Sequence, residues 1–209
     1  MNVVQAILSG ALIGGLYALM AIGLSVTWGV LRVINLAHFG LILIGAYLTF
    51  QLATSWGIDP LLTLVVTVPA MFVAGAALQW LFDRLALTEF NSLLVSFGLL
   101  IITIQVASNV WSADFQRMDA AVNPYATESI TIGRLVFPVT TLLAFVLAGL
   151  VVLGAHLVLR RTFTGRALRA IAQDRAVAGA FGVDHRKLSL LLGGVVGATA
   201  ALAGAVFSL

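Results

Sequence analysis

Few side chains in this chain of 209 residues are equipped for chemistry. Cysteine is absent, which removes disulfides, thiol nucleophiles and Cys-based zinc sites. The histidines His38, His156 and His185 are scattered, and none has a carboxylate at metal-ligand spacing, so neither metal nor cofactor is expected. No G-x-x-x-x-G-K-[ST], H-E-x-x-H or G-x-S-x-G occurs, so the chain holds no ATP by a P-loop and no enzyme activity is expected of it.

Polar residues do recur inside apolar stretches. Ser92, Ser96 and Thr103 stand at i, i+4 and i+11, which is one face of a helix. Gln105, Ser108 and Asn109 follow. Such a face either hydrogen-bonds to neighbouring helices or lines a path suited to a neutral or zwitterionic solute. Asn35 and His38 are i, i+3 neighbours that mark a candidate helix break. Broken helices can turn their dipole ends towards a charged substrate group, whereas a lone histidine is more often a packing residue.

The densest chemical signal is basic. Arg160–Lys187 carries seven of the eleven Lys and Arg residues. Thr164 is placed to cap a short helix there. Leu168, Ile171 and Ala172 give that helix an apolar face, Arg166, Arg169 and Gln173 a polar one, and Gly182 is placed to end a helix. A segment of this kind either rests on anionic headgroups or docks into a soluble partner.

These residues are carried by elements of one type. The chain is 61% hydrophobic and 9% charged, with mean hydropathy +1.11, against roughly 25% charged residues in a soluble domain. Too little polar surface remains for a water-facing globule, and nucleic-acid binding is not expected because the basic residues sit beside lipid-length apolar runs. Six windows are long enough to span a bilayer: roughly Val3–Leu31, Val33–Leu52, Pro60–Leu81, Phe90–Trp111, Leu135–Leu159 and Leu188–Leu209. The reading is an all-α, polytopic transmembrane bundle forming one domain over 1–209, with 160–187 as a loop and helix within it. No Lys or Arg precedes Arg32, so the first run is a retained span rather than a cleaved signal. At 29 residues, or about 43 Å, it is expected to tilt, break or protrude.

Basic residues mark the cytoplasmic side. They place Arg160–Lys187, Arg32 and Arg84 inside, and Ser112–Arg134, with Asp114, Arg117, Asp119 and Glu128, outside. The N-terminus is then outside. The last window stops at Leu209 without a polar flank, so the chain is expected to be truncated there. No span carries an ionisable group in its middle, which argues against an ion-coupled relay. Gly10 and Gly14, and Gly193 and Gly197, form G-x-x-x-G pairs that either pack within the chain or meet a second membrane subunit.

Two stretches resemble one family. The run from Thr164 to Asp184, with Gly165, Arg166, Ala167, Arg169, Ala170, Ala172, Asp174, Ala178, Gly182 and Val183, is similar to the cytoplasmic coupling segment of branched-chain amino acid ABC importer permeases. Gly15–Leu19, Gly29–His38 and Gly45–Tyr47 resemble that family's first-span signature, with Phe39 and Gly40 departing from the usual Gly and acid after the motif histidine. The resemblance implies an inner (plasma) membrane permease that translocates branched-chain or other aliphatic amino acids by alternating access. It implies a second permease subunit, two ATP-binding cassette ATPases and an extracytoplasmic substrate-binding protein as partners. The ATPase-coupling residues would be Gly165, Arg166, Leu168, Arg169, Ile171, Ala172, Asp174 and Gly182, with Leu168 and Ile171 in a groove of the ATPase. The candidate substrate path is Asn35, His38, Ser92, Ser96 and Thr103. The alternatives are a related ABC permease for urea, short amides or sugars, an ion-coupled carrier or passive channel, and a membrane scaffold.

Overall fold

Runs of about 20 apolar residues satisfy their own backbone hydrogen bonds by coiling, and in lipid that requirement is strict. A computed structural model describes residues 3–112, 118–119, 122–132 and 135–209. Its six membrane-length helices are α1 (Val3–Leu31), α2 (Ala37–Trp56), α3 (Leu64–Arg84), α4 (Glu89–Trp111), α5 (Val139–Arg161) and α8 (His185–Ser208). Between α5 and α8 lie two short helices, α6 (Phe163–Gln173) and α7 (Arg175–Ala180). The all-α polytopic bundle read from the sequence is the observed architecture.

Several boundaries differ from the expected windows. The first span runs unbroken over Val3–Leu31, so the break falls after it and not within it. The second helix starts at Ala37 rather than Val33, because residues 32–35 leave the helix. Pro60–Thr63 form turns before α3. Leu135–Pro138 is a strand, β2, paired antiparallel with β1 (Ser129–Ile132), where sequence reasoning placed a loop and the start of a span. The Gln5 side chain locks this hairpin to α1, donating to Val136 O at 2.6 Å and accepting from its N–H at 3.2 Å. Asp114, Arg117 and Arg134, used above for orientation, lie outside the described residues.

α8 is the central helix. Two thirds (67%) of its apolar window is buried, against 11% for α4 and α5. It crosses α3 where Gly75 meets Gly193 and Gly197, and α2 where Gly45 and Ala46 meet Gly204. A Cβ at Gly197 would overlap the Met71 carbonyl oxygen. The second G-x-x-x-G pair therefore packs within the chain. Gly10 and Gly14 differ, since a Cβ at either would meet nothing within 4 Å. One core cluster is Leu19, Ile42, Ala144, Ala148, Ala200, Ala203 and Val206, where α1, α2, α5 and α8 converge.

Polar contacts gather at the two ends of the bundle. At one end Tyr125 Oη donates to Asp59 Oδ2 at 2.6 Å, and Asn123 Nδ2 donates to Leu209 O at 2.7 Å. The Asp59 carboxylate and burial push the Tyr125 hydroxyl up to about 12. At the other end, Asp83 of α3 accepts from Gln79 Nε2 at 3.0 Å and from Ser189 Oγ of α8. Asp184 caps α8 by accepting from Lys187 N–H at 3.2 Å, which holds its carboxyl below the usual range.

Candidate functional site

The α1–α2 break is the first candidate site. Arg32 has φ of 54°, a left-handed conformation that non-glycine residues rarely adopt. Its N–H still reaches Trp28 O at 3.1 Å, and the chain then leaves the helix until Ala37. Amides freed from the helix ladder need other partners. Ser92 Oγ accepts from Ile34 N–H at 3.2 Å, and Ser96 Oγ accepts from Leu36 N–H at 3.0 Å. Ser92 also donates to Glu89 O at 2.7 Å, while the Ser96 proton has Ile34 O and Leu93 O within reach at 3.2 and 3.1 Å. Both serines are 0% exposed. Spaced one turn apart on α4, they hold two alternate amides of the segment that joins α1 to α2.

Asn35 sits in the same break, and His38 follows it in the first turn of α2. The His38 ring lies in the notch left by Gly23 of α1, where any Cβ would collide with it. His38 Nε2 is 3.0 Å from Met20 O, so that nitrogen carries the proton. His38 Nδ1 and Asn35 Oδ1 are both buried without a partner. Thr103 lies further along α4, donating to Leu99 O at 2.8 Å and touching Gly40 of α2. The structure therefore brings Asn35, His38, Ser92 and Ser96 together and places Thr103 along the same α2–α4 contact.

The second candidate site is the α6–α7 pair. Thr162, not Thr164, is the cap of α6: its Oγ1 accepts from Gly165 N–H at 3.0 Å. The helix starts earlier than expected because α5 turns directly into it. Gly165 fits that corner, since a Cβ there would overlap the Val158 carbonyl oxygen. Leu168 and Ile171 are 4% and 5% exposed. Leu168 packs with Val30 of α1 and Leu192 of α8, and Ala172 lies beside them. This corrects the expectation that Leu168 and Ile171 fill a groove in another subunit, because their stripe is already covered by this chain. The exposed face is different: Phe163 is 76% exposed and Phe181 85%, with Val177, Arg166 and Arg169 also open. Arg166 lies 5.9 Å from the Phe163 ring centroid. Asp174 caps α7 through Ala176 and Val177 N–H, and Gly182, at φ of 82°, ends it.

Sequence reasoning missed the Gln79–Asp83–Ser189 link between α3 and α8, and the Asp59–Tyr125 link. Both join residues too far apart in sequence for any local spacing to reveal. The aromatic pair Phe163 and Phe181 inside the basic segment was the one local signal available for the exposed face.

The whole chain has known relatives. The family model described as "Branched-chain amino acid transport system / permease component" matches residues 6–209. The high-affinity branched-chain amino acid transport system permease protein BraD of Pseudomonas aeruginosa is 26% identical over 97% of this chain and 69% of its own length. LivH of Escherichia coli strain K12, of the same description, is 26% identical over 96% of this chain and 68% of its own. A probable LivH from Methanocaldococcus jannaschii is 27% identical over 96% of this chain and 65% of its own. No solved structure matches. Six apolar helices in the arrangement above, and a family match over all but the first five residues, place this chain in the branched-chain amino acid transport permease family.

Proposed function

We propose that this chain is the membrane-spanning permease subunit of an ATP-binding cassette importer in the inner (plasma) membrane, and that its solute is a branched-chain or related aliphatic amino acid. The observation that carries this reading is the α6–α7 pair. It projects two exposed aromatic rings and several arginines from a chain whose sequence carries no P-loop motif. Exposed aromatics and arginine are the residue types that dominate interface energetics. Phe163, Val177 and Phe181, with Arg166 and Arg169, would meet an ATPase subunit. Leu168, Ile171 and Ala172 would transmit its movement to α1 and α8, with Gly165, Asp174 and Gly182 fixing the shape of the pair. A second permease subunit and a soluble extracytoplasmic binding protein complete the assembly, and alternating access is the transport mode. The α1–α2 break, with Asn35, His38, Ser92, Ser96 and Thr103, is the proposed point where the path approaches this subunit. There the N-terminus of α2 would favour a carboxylate.

Co-expression with the partner subunits tests this. Leucine uptake into vesicles should require ATP and the ATPases, and should persist when pH and sodium gradients are abolished. Phe181→Glu should reduce ATPase co-purification at least tenfold while the permease still inserts, since hot-spot truncations cost about 2 kcal/mol or more. Full co-purification with Phe181→Glu would overturn the docking assignment. Gradient-driven uptake without ATPases would overturn the importer reading.

A further inference from the structure

At the end of the bundle that carries Asp83, a cavity of about 270 Å³ opens between α1, α3, α4, α7 and α8. Four charged side chains line it: Arg32, Asp83, Glu89 and Arg175. Among the described residues none of the four closes an ion pair with another. Gln79, 3% exposed, and His185, whose Nδ1 is buried without a partner, add polar atoms. The remaining wall is apolar and includes Leu31, Val33, Phe82 and Leu87. A cavity of this size falls just below the range of drug-sized ligand pockets, about 300 to 1,000 Å³, and suits only a small solute.

We infer that this cavity is an exit site that holds the zwitterionic head of an aliphatic amino acid as it leaves the bundle. Two cations and two anions held apart around one small space match a group bearing both a carboxylate and an ammonium. Arg32 and Arg175 face the carboxylate, Asp83 and Glu89 face the ammonium, and the apolar wall takes the aliphatic side chain. A simple anion would leave the two carboxylates unanswered, and a simple cation would leave the two guanidinium groups so. The inference rests on the reading of the chain as an amino-acid permease and adds a place where solute is bound. Arg175 is also the first residue of α7. Movement of the α6–α7 pair would draw Arg175 away from Asp83 and Glu89 and open the site, which ties solute release to the docking element.

Saturation-transfer NMR on the assembled importer in nanodiscs, without the soluble binding protein, tests the site with L-leucine as the probe. Leucine should give a saturable signal that neither isocaproate, lacking the ammonium, nor isoamylamine, lacking the carboxylate, displaces efficiently. Arg175→Gln and Glu89→Gln change exposed side chains, so the fold should survive. Each should weaken leucine binding about tenfold, the loss of one charge-assisted hydrogen bond. Arg160→Gln, outside the cavity, should not. No leucine signal, equal binding in the Arg175 and Glu89 variants, or full displacement by isocaproate alone would each overturn the exit site. Leucine uptake by the unmutated complex is measured in parallel. Its absence overturns the proposed solute, whereas intact uptake without binding at the cavity overturns only the exit site.

Discussion

Ser96 shows how much a single hydroxyl can carry in lipid. Leu36 N–H has left the helix ladder and has Ser96 Oγ as its acceptor at 3.0 Å. Removing the hydroxyl leaves a buried donor with no water to replace it, at a cost of about 1–3 kcal/mol. Ser96→Ala should therefore lower the melting temperature of the purified chain, with Ser92→Ala acting in the same direction through Ile34 N–H. Unchanged melting in both would show that the break is held by packing alone. Tyr125 makes a comparable link at the opposite end. Its pKa is raised from 10.0 to about 12 in the fold, so the folded state holds the proton more tightly. The stabilisation is complete below pH 10 and is lost as pH rises towards 12. Proteolysis of the 57–63 turn should accelerate in that window in the parent chain, and Tyr125→Phe should make it fast at neutral pH as well.

Helix crossings decide which small residues matter at the element scale. Gly197 is pressed against the Met71 carbonyl and Gly75, whereas Gly10 faces open space. Gly197→Ala should destabilise by about 1–3 kcal/mol, the usual cost of overpacking, while Gly10→Ala should leave melting of the isolated chain unchanged. Equal effects would mean that α3 and α8 can separate cheaply. The two G-x-x-x-G pairs are indistinguishable in sequence, because spacing reports which residues share a face and not what that face meets. The same limit explains α6. Its amphipathic stripe was legible from Leu168, Ile171, Arg166 and Arg169, but the partner of the stripe was not, and it proved to be α1 and α8. All six spans were legible because apolar length is a local property. The β1–β2 hairpin was not: Leu135–Pro138 reads as the start of an apolar run, and only pairing with Ser129–Ile132 makes it a strand. Asn35 and His38 marked the break correctly. The serines that satisfy it lie nearly 60 residues away, at separations of 58 and 60.

Across the whole molecule the charges are segregated by the path of the chain. Arg32, Asp83, Glu89, Arg175 and His185 share one cavity, so the ends of α1 and α3 and the starts of α4, α7 and α8 lie together. Gln5, Asp59, Tyr125, Asn123, Val136 and Leu209 are joined by hydrogen bonds at the other end. Nine of the eleven Lys and Arg residues lie towards the end of the bundle that carries this cavity: Arg32, Arg84, Arg160, Arg161, Arg166, Arg169, Arg175, Arg186 and Lys187. Such an excess near short connections is the reason for proposing that this end faces the cytoplasm, and the proposed ATPase contact requires the same orientation. Single cysteines test it cleanly because the chain contains none. Gln173 and Thr127 are exposed at opposite ends. In intact cells a membrane-impermeant maleimide should label Thr127→Cys and spare Gln173→Cys, and permeabilisation should make both reactive. Labelling of Gln173→Cys in sealed cells would invert the topology, and the docking of an ATPase on α6 and α7 would fall with it.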